Sequence, residues 1–311
     1  MTSQSAAAEK VTVVPGERQR KANKVARYVL TYAIMTLFAF IFLFPLLFMI
    51  MASFKANDAI FADLRSFRAF MPVGNLSMDN YHGVFERSKF WLFLKNSLFI
   101  SGVTTLLALV VNSMAAYALA RLKWRGQSVV LAVIIATLIV PFETIVVPLL
   151  LIVSKLPWPV FNGLKISLDH GWFNSYHVQI IPGISSAFMI FLFYQFFLDI
   201  PMDLDEAARV DGASSFRIYW NIIMPISRPV VATVTILTFL GSWNSYLWPL
   251  LVTQSEKVRP IMPAIENFFG RTPEWGQVMA FATLVTVPVL IVFFMFQNWF
   301  IRSIASSGIK G

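Results

Sequence analysis

Glu143 is the only Asp, Glu, Lys or Arg inside any of the long apolar stretches of this 311-residue chain. A charge in such a run costs roughly 3 kcal/mol or more at the membrane centre. The carboxyl must therefore face a cavity or a partner, or stay protonated and donate to a neighbouring helix. Pro141 and Pro148 bracket it and withhold the N–H groups that would bond the carbonyls of Thr137 and Thr144. Local unwinding of this kind lines polar cavities in membrane-spanning bundles. A second constellation, Ser242, Trp243, Asn244 and Tyr246, offers an amide, hydroxyls and aromatic faces, which suit the hydroxyls and C–H faces of a sugar. An aromatic belt at a membrane boundary accounts equally well for Trp248 and Tyr246. Tyr117, Gln195 and Gln297 are lesser candidates.

Other chemistries are missing from the sequence. With no Cys there is no disulfide, thiolate nucleophile or Cys-based metal site. His82, His170 and His177 are too few and too scattered for a metal cluster. No Gly-x4-Gly-Lys-Ser/Thr run is present to cradle a nucleotide. An intramembrane protease or acyltransferase needs an Asp dyad, a Ser with a His, or a His-Glu-x-x-His helix. None lies in the apolar stretches, so the chain is expected not to be an enzyme and to hold no cofactor of its own.

The elements that must position these residues follow from the charges. Hydrophobic residues make up 57% of the chain and charged ones 13%, about half the share of a soluble domain. That composition excludes both a soluble globule and a disordered chain. The charged residues leave six long gaps: 28–54, 96–120, 126–154 (broken only by Glu143), 170–198, 229–255 and 275–301. Each accommodates the roughly 20 residues that cross a bilayer as a helix, and the short alternating segments of a β-barrel are missing. The expected fold is an all-α integral membrane protein with six transmembrane helices. The first gap is too long and too far from the start for a cleaved signal peptide and reads as a retained anchor.

An even number of spans places both termini on one side. If that side is cytoplasmic, residues 1–28, 121–125, 199–228 and 302–311 lie inside and carry 14 of the 25 basic residues. The net charge of +9 then reads as topology and contact with anionic lipid. Nucleic acid is not expected, because the basic residues form no stripe with interleaved aromatics.

The segment 199–228 is polar but patterned as structure. Asp203-x-x-Glu206 has the spacing of an N-cap with a reciprocal acid, and Leu204 to Val210 follows as a short helix. Gly212 stands where a left-handed C-cap would end it. Ser214 and Ser215 can cap a second helix through Phe216, Tyr219, Trp220 and Ile223, which Pro225 then stops. This helix–turn–helix hangs between spans four and five. A DNA-binding element, an amphipathic connector lying on the bilayer and a rigid docking lever for a cytoplasmic partner all fit the pattern. Both ends enter the membrane within a few residues, which disfavours DNA.

Glu206-Ala207-Ala208-x3-Gly212-x9-Ile222-x-Met224-Pro225 resembles the EAA loop of binding-protein-dependent ABC importer permeases, with Met224 where the family pattern has Leu. Ser53-Phe54-Lys55, Asn80-Tyr81, Asn96-Ser97, Ala116-Tyr117-Ala118-Leu119-Ala120-Arg121, Pro141-x6-Pro148, Trp243-Asn244-x-Tyr246 and Gly308-Ile309-Lys310-Gly311 resemble the carbohydrate branch. Within it they fit the second, maltose-permease G-like subunit, and the resemblance covers residues 29–311.

The resemblance implies a cytoplasmic N-terminal tail (1–28), a six-helix transmembrane domain (29–303) with coupling loop 199–228, and a cytoplasmic C-terminal tail (304–311). It implies no chemistry in this chain. Alternating access would be driven by two separate ATPase subunits, which bind ATP and Mg and receive the loop through Glu206, Ala207, Ala208, Asp211, Gly212 and Pro225. A homologous second permease subunit and a periplasmic or extracellular solute-binding protein complete the implied assembly, in a bacterial inner membrane with both termini cytoplasmic. A passive channel would not need the loop. Segments 55–95, 155–178 and 256–274 are long enough to meet the binding protein or simply to connect spans. The stretch 154–178 is longer than usual for the branch.

Overall fold

The computed structural model describes residues 15–63, 66–162, 165–270 and 272–307. In chain order its helices are α1 (Pro15–Ala52), α2 (Asn57–Asp63), α3 (Asp79–Arg87), α4 (Phe90–Arg121), α5 (Gln127–Thr137) and α6 (Phe142–Lys155). An antiparallel hairpin follows, β1 (Pro157–Asn162) pairing with β2 (Lys165–His170), so 154–178 is more than a loop. Then come α7 (His177–Ile180), α8 (Ala187–Leu198), α9 (Asp203–Val210), α10 (Ser215–Ile218), α11 (Met224–Ile226), α12 (Arg228–Trp243), α13 (Leu247–Val252) and α14 (Trp275–Ser307). The fold is helical, with the hairpin as its sheet.

Among the described residues, three helices are long and apolar enough to cross a membrane alone: Arg20–Ala52, Phe90–Arg121 and Trp275–Asn298. The other candidates are bent pairs, which bring the total to six only if each pair is one span. The third gap is two half-helices, α5 and α6, at 104°. Pro141 disfavours helical geometry in the residue before it, and the chain turns over Leu138–Val140. There the Val140 N–H recaptures the Thr137 carbonyl at 3.2 Å. Pro148, by contrast, is absorbed within α6. The fourth gap bends by 41° between His177–Gly183 and α8. The fifth is not one helix either. α12 is only 16 residues long and ends at Trp243; the chain breaks over Asn244–Tyr246 before α13. At its other end α12 is bent by 81° against the helix Ser215–Ile226.

α4 organises the bundle. Its buried face carries small and polar residues at helical spacing, Ser97, Ser101, Thr104, Ala108, Asn112 and Ala116. Small side chains let backbones approach closely where no hydrophobic effect drives helices together, and α8 and α12 pack against this face. A core of Phe193, Phe197, Ile218, Ile223 and Val234 joins α8, α12 and the 215–226 helix. A second core, around Phe93, Trp243, Ile261, Phe268 and Phe281, joins α12 to α14. α1 and α5 leave their apolar surfaces exposed, as lipid- or partner-facing helices do.

Candidate functional site

Residues from six helices, α4, α6, α7, α8, α12 and α13, build one cavity of about 300 Å³. α4 contributes Ser97, Ser101, Thr104 and Asn112; α12 contributes Thr238 and Ser242; Gln179, Ser186 and Ser245 add further polar groups. Among the described residues no ionisable side chain lines it. Four polar atoms on its wall are buried without a hydrogen-bond partner: Ser101 Oγ, Thr104 Oγ1, Gln179 Oε1 and Thr238 Oγ1. Buried polar groups are ordinarily paired; these four, from α4, α7 and α12, are gathered around one cavity without partners among the described residues. Asn112, on the same helix, has a different job. Its amide donates to the Ala108 and Ile184 carbonyls at 2.7 and 2.9 Å and accepts from the Ser186 N–H at 2.9 Å. It staples α4 to the start of α8.

The residues singled out in the sequence scatter around this cavity. Of the fifth-gap group, Ser242 lines it, while Trp243 turns away. Trp243 is 1% exposed, stacks on Phe239 with ring centroids 5.5 Å apart, and belongs to the α12–α14 core with its Nε1 unpartnered. With Asn244 it lines a separate space of about 220 Å³ against α14. Tyr246 is exposed, and its hydroxyl donates to the Glu266 carboxylate. The helix break at Asn244–Tyr246 separates these side chains, which is why a motif contiguous in sequence does not form one site. Glu143 stands in the first turn of α6, directly after the break, and is exposed; its neighbour Phe142 reaches the cavity wall. An N-terminal turn favours a negative charge. Among the lesser candidates, Tyr117 donates to the Ser215 carbonyl at 3.0 Å, and Gln195 is exposed.

Segment 199–228 folds as two short helices around Gly212, which adopts φ +78°. No atom lies within 4 Å of where a Cβ on Gly212 would stand, so the requirement for Gly is conformational, not steric. The capping differs from the spacing-based expectation. Met202 is the N-cap, and Asp203 lies inside the first turn with Asp205 and Glu206. All three acids sit where the helix dipole favours them. Ser214 does cap the second helix, accepting from the Arg217 N–H. Pro225 does not stop that helix. A π-helical stretch, Tyr219–Ile223, absorbs the Pro, and the turn comes at Ser227. Glu206, Ala207, Asp211 and Pro225 are exposed, Ala208 is buried, and Val210, Phe216 and Trp220 present bare apolar surface.

Sequence reasoning missed Asp205 and the role of Arg121. Their side chains are 2% and 1% exposed and form an ion pair at 3.8 Å. Arg121 also donates to the Ile200 carbonyl at 2.8 Å and to Met202 Sδ at 2.6 Å. The signal was an acid beside the EAA run and a basic residue ending a span, but the basic residue had a sufficient explanation as a topology charge. At the other end of α4, Asn96 donates to the Lys257 and Arg259 carbonyls and accepts from Tyr176, gathering segments 172–178 and 256–259 there. The C-terminal tail cannot be followed to its end: α14 runs through Ser307, and 308–311 lie outside the described residues.

Comparison with known proteins identifies the family. Residues 108–306 match the model for binding-protein-dependent transport system inner membrane components. The arabinooligosaccharides transport system permease protein of Halalkalibacterium halodurans is 30% identical over 297 residues, 94% of this chain and all of the relative. The lactose transport system permease protein of Rhizobium radiobacter is 30% identical over 90% of this chain and 95% of its own length. The sn-glycerol-3-phosphate transport system permease protein of Yersinia pestis is 32% identical over 75% of this chain and 79% of its own. In fold, the chain is similar to a subunit in the crystal structure of a bacterial ABC transporter involved in the import of the acidic polysaccharide alginate, with a TM-score of 0.70. That match has 21% identity over 89% of this chain and 98% of the other. The chain belongs to the binding-protein-dependent transport system inner membrane components, and is a permease subunit of an ABC importer, a component of membrane transport rather than an enzyme.

Proposed function

We propose that this permease moves a neutral, sugar-like solute across a bacterial inner membrane by alternating access, through the cavity between α4, α8 and α12. The observation that carries this reading is the cavity's chemistry: orphaned hydroxyl and amide groups with no charge among them. Hydroxyl-rich cargo can satisfy those groups, whereas a phosphate or carboxylate would find no cation there. The relatives named for arabinooligosaccharides and lactose fit this class, while the one named for sn-glycerol-3-phosphate does not. The absence of charge in the cavity, and not kinship, therefore carries the preference for neutral cargo. Segment 199–228 is the docking lever for a pair of ATPase subunits, which bind ATP and Mg. Its exposed acid Glu206 and its bare Val210, Phe216 and Trp220 form a surface that calls for a protein partner. A homologous permease subunit would cover α5 and α6 and meet Glu143. A solute-binding protein would approach from the end of α4 where Asn96 lies, and both chain termini would be cytoplasmic.

The test is uptake of labelled neutral sugars against their phosphorylated or uronate counterparts by the reconstituted assembly, with co-purification of the ATPase. Neutral uptake that needs the binding protein, lost with the ATPase in Glu206→Lys, supports the reading. Preference for the charged analogues would overturn the cargo assignment. Wild-type ATPase retention and uptake in Glu206→Lys would overturn the docking role.

A further inference from the structure

The lower half of α4 reaches segment 199–228 through a stripe at helical spacing. The Ser113 hydroxyl bonds the Tyr219 hydroxyl at 2.8 Å, the Tyr117 hydroxyl donates to the Ser215 carbonyl at 3.0 Å, and the Arg121 guanidinium engages Asp205, Ile200 and Met202. Residues four apart lie on one helix face, so one edge of one helix holds both halves of the helix–turn–helix. The same unbroken 32-residue helix, about 48 Å long, carries Ser101, Thr104 and Asn112 in the cavity wall. Among the described residues, α4 carries both cavity-lining residues and side chains that reach the first turn of α9, through the Asp205 ion pair, and α10, through the Ser215 carbonyl.

We infer that Arg121 is a positioning residue for energy coupling: it sets the angle of α9 relative to α4, so that movement of the lever and movement of the cavity wall occur together. This rests on the reading of segment 199–228 as the ATPase lever. The chemistry selects Arg over any other residue here. A planar guanidinium can serve several partners at fixed angles, whereas a lysine ammonium is a point charge. It takes the Ile200 carbonyl and Met202 before α9 and the Asp205 carboxylate in its first turn, and so fixes the helix in both position and rotation. The contact also has slack. Both Asp205 oxygens and Arg121 Nε lack hydrogen bonds, and the pair stands at 3.8 Å. A shift of about 1 Å would bring it to the separation of a charge-assisted hydrogen bond.

The experiment compares Arg121→Lys, and the double variant Arg121→Met with Asp205→Leu, with wild type in proteoliposomes containing the ATPase and the binding protein. The readout is solute moved per ATP hydrolysed. Replacing a buried pair by apolar residues of similar volume is commonly tolerated by the fold, so the double variant removes the clamp without stranding a charge. Both variants should retain membrane abundance and bound ATPase while transport per ATP falls about tenfold in the double variant, the equivalent of roughly 1.4 kcal/mol of coupling. Arg121→Lys, which keeps the charge and loses the fork, should fall between. Wild-type transport per ATP in either variant overturns the inference while leaving the lever reading intact; should the double variant fail to insert, Arg121→Lys decides alone. If the wild-type assembly itself retains no ATPase, the lever reading falls and this inference with it.

Discussion

Thr104→Val separates a cavity wall built for cargo from one that merely holds the helices apart. The Thr104 hydroxyl is buried on α4 and bonds nothing in the protein. Leaving such a group unsatisfied costs about 1–3 kcal/mol, while replacing it with an apolar group of the same shape is neutral or stabilising. The variant should therefore unfold at the same temperature as wild type or slightly above it. Cargo that donates to or accepts from this oxygen gains about 0.5–1.5 kcal/mol from the bond. Its loss should raise the KM of uptake about two- to twelvefold. Asn112→Ala is the control with the opposite sign. It strips three satisfied hydrogen bonds from a fully buried amide and leaves the Ile184 carbonyl and Ser186 N–H without that partner. Its cost should reach about 2–5 kcal/mol, felt first as lost membrane abundance. Thermal unfolding of the purified assembly and uptake kinetics at matched abundance measure both. The reasoning is refuted if Thr104→Val lowers the unfolding temperature as Asn112→Ala does, or leaves KM unchanged.

Other substitutions follow from the same geometry. Gly212→Asn should keep ATPase co-purification near wild type and Gly212→Val should lose it, because a non-Gly residue at a left-handed φ costs about 1–2 kcal/mol and Asn tolerates that region best. Equal behaviour of the two would refute a conformational requirement. Glu143→Gln should lower uptake about tenfold or more, the worth of a charge-assisted bond to cargo or to the facing subunit; near-normal Gln with impaired Ala would mark a structural hydrogen-bonder instead. Trp243→Phe should retain abundance and uptake, while Trp243→Ala should lose abundance through a cavity costing about 3–5 kcal/mol, as immunoblots of membranes would show. The exposed Glu256 carboxylate is held below its ordinary range, first by the hydrogen bond from Lys89 and then by that residue's charge. The bridge therefore contributes above the ordinary carboxylate range and is lost as pH falls through the lowered value. The protection factors of the amides in Glu256–Val258, corrected for the intrinsic slowing of exchange in acid, should fall over that range in wild type and show no such fall in Lys89→Met.

What the sequence showed and what it hid divide along a physical line. Apolar run length is a property of neighbouring residues, so α1, α4 and α14 are plain in the charge gaps. Breaks are subtler. Pro141 announces the first, but the break at Asn244–Tyr246 has only Asn244 and Ser245 to mark it, and the uncharged gap 229–255 reads straight across it. Local turn chemistry was legible at Gly212 and Ser214. It was misjudged at Asp203, because an N-cap position depends on where the preceding turn ends, and at Pro225, because a π-turn can absorb a proline. The cavity was hidden for another reason. Its orphaned polar atoms come from α4, α7 and α12, and each belongs to a lone Ser, Thr or Gln in an apolar surrounding. Only the recurrence of small polar residues over Ser97, Ser101, Thr104 and Asn112 could have shown that one face of α4 is not meant for lipid.

That recurrence also explains why the charged and the uncharged parts of α4 behave so differently. Up to Asn112 the helix offers small neutral groups to its neighbours, and the space left beside them is the cavity. From Ser113 onward a different face, roughly opposite the cavity wall by the 100° turn per residue, carries Tyr117 and Arg121, long side chains that reach past the bundle to the polar segment. A small side chain leaves room and a long one spans a gap, so one helix carries a cavity wall on one face and a clamp on another. The two functions therefore cannot move independently unless α4 itself bends. It has no proline and runs unbroken from Phe90 to Arg121. Rigid-body motion of α4, with its N-terminal end anchored through Asn96 and its C-terminal end through Arg121, is the simplest way for this chain to join what happens at the lever to what happens in the cavity.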